Sequence, residues 1–197
     1  MQKIEFEELP SEVQTKLNGL FSESSSLKSV LKPLIKICDE FPGFVFGRLE
    51  LSVVYMELND PEEALKNYQS ILSDFPDEPA AIAGIATAYA ELNELAKAES
   101  FANEALEMEY HWPPLYLVLA KVYEQKSKFD DAADSYISAY RLSPNFISGL
   151  ENYCRLKKLD YQSPEQNVKP PMKRKKLNDL AAFIKGIDIY HTSRTAH

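Results

Sequence analysis

Few side chains in this 197-residue chain could do covalent or metal chemistry, and none stands in a usable pattern. The three histidines are His111, which precedes Trp112-Pro113-Pro114, and His191 and His197 near the carboxy end. A histidine becomes a base or a ligand through partners at set spacing. No His-Glu-x-x-His, no paired cysteines and no nucleophile elbow accompany these three. Cys38 and Cys154 are single residues on helix faces and read as buried thiols rather than a disulfide framework. Six glycines leave little material for a phosphate-cradling loop. The acidic doublets Glu62-Glu63 and Asp130-Asp131 resemble ligand pairs, but each falls where the first turn of a helix is expected. Carboxylates are favoured there by the helix dipole. The chain is expected to hold no catalytic residue, no metal and no cofactor.

What the sequence does contain is a ladder. Tyr55, Tyr89 and Tyr123 are spaced by one constant interval, and Ala64, Ala98 and Ala132 by the same one. Pro42, Pro76 and Pro144 lie on that grid too, the last two separated by a double step. Such phase signals stacked units that cannot bury their apolar faces alone and gain stability from their neighbours. Within each unit, small residues (Ser52, Ala86, Ala120 and the three alanines) mark where two helices cross closely. The prolines end the second helix, because proline lacks an N–H and disfavours helix in the residue before it. The turns between helices read Asn59-Asp60-Pro61, Asn93-Glu94-Leu95 and Ser127-Lys128-Phe129. Asp60 can cap, Pro61 suits the first helical position, and Glu63 completes a capping-box arrangement.

This pattern resembles the tetratricopeptide repeat, whose period is about 34 residues, over residues 45–146. The repeats are 45–78, 79–112 and 113–146. The middle one departs from the pattern twice, with Phe101 one residue early and Tyr110 in place of proline. Residues 1–44 read as amino-terminal helices forming a degenerate first repeat. Ser11-Glu12-Val13-Gln14 looks like a capping box, and Pro33 should kink the second helix. Residues 147–159 read as a capping helix and 160–176 as a basic linker with three prolines. Residues 177–197 read as an amphipathic helix, with Leu177, Leu180, Ala181, Ile184 and Ile187 at helical spacing, followed by a tail. The fold class is all-α: a right-handed α-solenoid of stacked antiparallel helix pairs.

The resemblance also implies a site. In this family the first helix of each repeat lines a concave groove. The matching positions here are Phe46, Leu49, Glu50, Val53 and Met56, then Ala83, Gly84 and Thr87. Leu117, Val118, Lys121 and Glu124 follow, with Glu151 and Arg155 from the capping helix. Met56 and the short residues would form an apolar floor. Glu50, Glu57, Glu91 and Glu124 would rim it, with Lys121 and Arg155 as its few cations. Co-chaperone members of the family hold a chaperone's carboxy-terminal carboxylate with Lys, Asn and Arg. The corresponding positions here are Leu49, Val53, Gly84, Pro114 and Val118, or one repeat later Ala83, Thr87, Val118, Ser148 and Asn152. Neither set can hold a carboxylate.

Charge narrows the partner. Residues 169–197 carry seven Lys/Arg against two Asp, while the other 168 residues carry 15 basic against 28 acidic, giving the overall −8. An acidic body disfavours nucleic acid, which needs clustered cations on the face used. No apolar run approaches the roughly 20 residues of a membrane span, and the acidic amino terminus is unlike a secretory signal. The expected role is a non-enzymatic protein-interaction scaffold, or adaptor, of the cytoplasm. Its partner would be a protein or peptide with an apolar segment and neutral or basic flanks. Lys173-Arg174-Lys175-Lys176 resembles a nuclear-import signal, which would suit a nuclear location if the source is eukaryotic, and fits an anionic-surface contact or a solvated helix start equally well. For 177–189, folding back over the last repeat or self-association is expected rather than membrane binding. Two other readings remain open at this stage. One is a chaperone for an apolar client, similar to those of bacterial secretion systems. The other is the regulatory front of a larger enzyme, since Arg194-Thr195-Ala196-His197 forms no obvious structural stop.

Overall fold

In the computed structural model, residues 1–23 and 26–158 are described. Nine α-helices and no strand occur among them: α1 (Ser11–Glu23), α2 (Leu27–Glu40), α3 (Val45–Glu57), α4 (Pro61–Asp74), α5 (Pro79–Glu91), α6 (Leu95–Glu107), α7 (Pro113–Gln125), α8 (Phe129–Leu142) and α9 (Ile147–Leu156). The linker, the basic run, the amphipathic segment and the two terminal histidines lie outside the described residues. The chain divides into two compact units, with the boundary inside α3 between Gly47 and Arg48.

In the first unit, residues 2–47, α1 packs against α2. Leu17, Val30, Leu34, Ile37 and Phe44 supply buried apolar bulk. The Ile4 N–H donates to the Gly43 carbonyl at 2.8 Å. A side chain on Gly43 would collide with the Gln2 carbonyl, so only glycine admits this close approach. Two local expectations are corrected here. Ser11 is the first helical residue rather than the cap, since Val13 N–H bonds to the Pro10 carbonyl. Gln14 turns its amide back onto the Leu9 carbonyl at 2.8 Å instead of completing a capping box. At Pro33, α2 continues as one helix from Leu27 to Glu40. Ser26 caps it by accepting from the Lys28 N–H at 3.2 Å.

The second unit, residues 48–158, is an α-solenoid of helix pairs. Neighbours in sequence pack on one another from α4 to α9, and α5 also packs on α7. The close crossings follow from the ladder's small residues. Ser52, Ala86 and Ala120 are completely buried, as are Ala64, Ala98 and Ala132. With so little side-chain volume between them, backbones approach closely and dispersion contacts are dense. In the middle repeat, Ala102 occupies the buried slot, and Phe101 stacks on the ladder residue Tyr89 at 5.7 Å.

The turns reveal a second ladder. Asn59, Asn93 and Ser127 all adopt left-handed backbone, with φ of 62°, 60° and 57°. Each lets the next N–H reach back to a ladder tyrosine's carbonyl: Asp60 to Tyr55, Glu94 to Tyr89 and Lys128 to Tyr123, at 2.8–2.9 Å. This closing bond satisfies a carbonyl that the helix end would otherwise orphan. The same device explains Tyr110. Glu109 is left-handed at φ 59°, and the Tyr110 N–H bonds to the Ala105 carbonyl at 3.0 Å. A proline there could not donate, so α6 ends through this bond where α4 ends before Pro76. Asp60 caps α4 through Glu63 N–H at 3.3 Å. The Glu63 carboxylate pairs with Lys66 instead of reaching back to complete the box.

Candidate protein-binding surface

The first helices of the pairs, α3, α5 and α7, together with α9, carry the positions expected to line a groove. Phe46 lies in the first unit, half-buried and tilted against Phe44 at 5.9 Å. The other thirteen lie in the second unit, where they separate into three groups.

The first group is apolar and partly open. Leu49, Val53 and Met56 on α3, and Leu117 on α7, are all half-buried. The second group is closed, which corrects the expected lining. Ala83, Gly84 and Val118 are buried, and Glu50 is only 1% exposed, so it rims nothing. At Gly84 the cause is Tyr68, a fully buried ring on α4. A Cβ on Gly84 would lie 2.7 Å from Tyr68 Cδ1 and closer still to Cε1 and Cζ. Gly84 is therefore the space the ring occupies, not an open floor. Thr87 is half-buried, and its hydroxyl donates to the Gly84 carbonyl at 2.8 Å. Glu50 Oε2 has no hydrogen-bond partner among the described residues. Burial pushes its carboxyl up to about 8, so at neutral pH it is chiefly the uncharged acid. The Tyr68 phenol is raised as well, by burial first and then by Glu50 and Tyr110.

The third group is charged and cross-linked. Arg155 of α9 donates from one guanidinium nitrogen to both oxygens of Glu124 on α7, at 2.7 and 2.8 Å. Tyr136 of α8 donates its hydroxyl to the same carboxylate at 2.6 Å. Burial raises the Glu124 carboxyl, but the Arg155 and Tyr136 hydrogen bonds outweigh it and hold the group below its ordinary range. Tyr136 is pushed up to about 12, by burial and then by its bond to Glu124. Lys121 is exposed and donates to the Ala90 carbonyl at 2.9 Å, on the last turn of α5, where the helix dipole favours a cation. Both expected cations are thus engaged within the protein. Glu151 is exposed.

The sequence pattern gave Tyr68 and Tyr136 no part in this surface. Their phenols were the available signal, since a buried hydroxyl seeks a polar partner. Replacing Arg155 by alanine is expected to cost at most about 1 kcal/mol, because the pair is largely exposed. Glu124→Ala is expected to cost more, since it also strands the Tyr136 hydroxyl. Urea unfolding of the two variants measures the difference.

No group of three metal-ligating side chains occurs among the described residues. His111 bonds through Nδ1 to the Tyr116 hydroxyl at 2.7 Å and stacks on its ring. No described helix is long and apolar enough to cross a membrane.

The same helix pairs are found in known proteins. No curated protein matches the sequence. The crystal structure of MamA is 17% identical, with a TM-score of 0.57, covering 76% of this chain and 85% of that one. TTC0263, a thermophilic TPR protein of Thermus thermophilus, is 23% identical at a TM-score of 0.56, covering 75% and 78%. The first TPR of Spaghetti (RPAP3), bound to the HSP90 peptide SRMEEVD, is 21% identical at 0.51, covering 58% and 90%. Two family models, both described as tetratricopeptide repeat, match residues 55–122 and 113–146. Together with the periodic turns and alanine crossings, these matches identify residues 55–146 as tetratricopeptide repeats.

Proposed function

We propose that residues 48–158 form a non-enzymatic scaffold whose α3, α5, α7 and α9 face holds an apolar segment of a partner protein with neutral or basic flanks. The observation that supports this most is the combination on that face of half-open Leu49, Val53, Met56 and Leu117 with cations already bonded internally. Apolar surface left partly open on rigid helices is the usual anchor for an inserted segment. Engaged cations offer little to an acidic one.

The Spaghetti domain binds an acidic chaperone peptide. Here the positions matched to the family's carboxylate-holding residues are Leu49, Val53, Gly84, Pro114 and Val118, and two of them, Gly84 and Val118, are buried. That is why the reading favours a different ligand class. The test is the full chain with Leu49→Glu and Leu117→Glu, used as bait in its native cell. Loss of captured partners at unchanged helicity is expected. An unchanged capture profile would rule this face out.

A further inference from the structure

One polar group on α3 is buried without a partner. Glu50 is 1% exposed, and its Oε2 accepts no hydrogen bond among the described residues. Such an orphan has lost its hydration and calls for a donor that the fold does not contain. The nearest cation in sequence is committed elsewhere: Arg48, two residues earlier, donates to Asp74 and Ser70 of α4, each at 2.8 Å. From α4 the Tyr68 phenol feels the Glu50 charge, with Tyr110 beyond it. From α5, Gly84 packs on the same ring and has no side chain to offer.

Glu50 nevertheless lies beside open surface. Leu49 precedes it, and Val53 follows one helical turn later, about 4.5 Å along the axis. Both are half-buried, and Glu57, two turns on, is exposed. Residues 48–158 hold ten Lys/Arg against nineteen Asp/Glu, a balance that attracts cations.

We propose that Glu50 is a closed anchor for a single lysine of the partner's apolar segment, the stem lying along Leu49 and Val53 and the ammonium meeting Oε2. This rests on the scaffold reading above and names the one polar contact which that reading lacks.

Lysine suits the position better than arginine. Its four-carbon stem buries against aliphatic neighbours, and its head is a compact point charge. A planar guanidinium favours a carboxylate that offers both oxygens in fork geometry, which a sealed one does not. The free chain keeps Glu50 shut, so the side chains around it part as the lysine enters. The fold has already stripped the carboxyl of water, and the segment contributes only the lysine's own desolvation. The carboxyl enters this contact as the ion. Burial holds it chiefly as the neutral acid below about 8, so docking releases a proton. Lysine recognition therefore strengthens as pH rises toward 8 and levels off there.

The experiment titrates the full chain with three fluorescent peptides. They share Leu-Ala-Leu-X-Leu-Ala-Leu between Ser-Gly flanks, with lysine, norleucine or glutamine at X. At pH 7 the lysine peptide is expected to bind about tenfold more tightly than the norleucine one, as a charge-assisted hydrogen bond would give. That preference should grow about tenfold from pH 6 to pH 7, while norleucine affinity stays flat. It should vanish in Glu50→Gln, a variant expected to fold at least as well as the wild-type chain.

A lysine preference that survives in Glu50→Gln would overturn the inference by placing the anchor at another carboxylate. Equal binding of the lysine and glutamine peptides would overturn the cation in favour of a neutral donor. Equal binding of the lysine and norleucine peptides would overturn the anchor altogether and leave Oε2 to a buried water. If in that case Leu49→Glu with Leu117→Glu still abolishes binding, the scaffold reading stands without it. If no peptide binds, the inference falls, and cellular capture alone judges the scaffold.

Discussion

Replacing Glu50 by glutamine is expected to stabilise the protein above pH 8 and to remove a pH dependence expected of the wild-type chain. Glu50 is buried with Oε2 unpartnered, and burial raises its folded-state value from 4.5 to about 8. The folded state therefore holds this proton where the unfolded state has lost it. The corresponding stability is fully present below pH 4.5. It falls as pH rises toward 8 and is gone once the buried carboxyl is forced to ionise. At 1.36 kcal/mol per unit, that loss is on the order of 5 kcal/mol. Glutamine has nearly the same shape and no charge to strand. Chemical denaturation of both proteins from pH 4.5 to 9 should give curves that nearly meet at the acid end and diverge steadily to alkaline pH. A gap independent of pH would show that Glu50 is not the titrating group.

The second large effect belongs to Gly84. A methyl here gains up to about 1 kcal/mol of helix propensity in an exposed position. At this site it meets the Tyr68 ring, which is 2% exposed and has no solvent to swing into. Either α5 moves away from α4 or the ring leaves its rotamer. Overpacking of this kind costs roughly 1–3 kcal/mol, so Gly84→Ala is expected to destabilise despite its better propensity. Gly84→Val should do so more severely. The decisive measurement is a double-mutant cycle with Tyr68→Leu. If the collision is the cause, the alanine should become nearly neutral or favourable once the ring is gone. Additive losses would place the cost elsewhere.

Both predictions depend on contacts that the repeat pattern mislabels. The pattern treats each first helix as having one interior side and one groove side, and it placed Glu50, Ala83, Gly84 and Val118 on the groove side. Tyr68 crosses that division. Its ring lies over Gly84, and so a position that the repeat pattern assigned to the groove is sealed here. The Glu124–Arg155 pair shows the same limit. The sequence put one carboxylate and one cation on a common surface, but the bond to both carboxylate oxygens needs α7 and α9 at contact distance.

The turns show the opposite case, where local chemistry was nearly sufficient. Asn59 and Asn93 carry a residue type that tolerates left-handed backbone, in constant phase with the tyrosines whose carbonyls the next N–H caps. Ser127 holds the same conformation without that preference, so its turn follows the two packed helices rather than its own side chain.

By itself, the sequence determined the helix pairs, their order, and the alanines and tyrosines that stack them. These follow from periodicity, proline placement and side-chain volume, which act over one or two turns of chain. Only the tertiary structure decided which first-helix residues stay open, that Glu50 is sealed, and that Lys121 and Arg155 are already engaged. Those outcomes depend on side chains 12 to 31 residues apart meeting across helices. A repeat pattern fixes which face a residue takes, but not what the neighbouring helix lays over it.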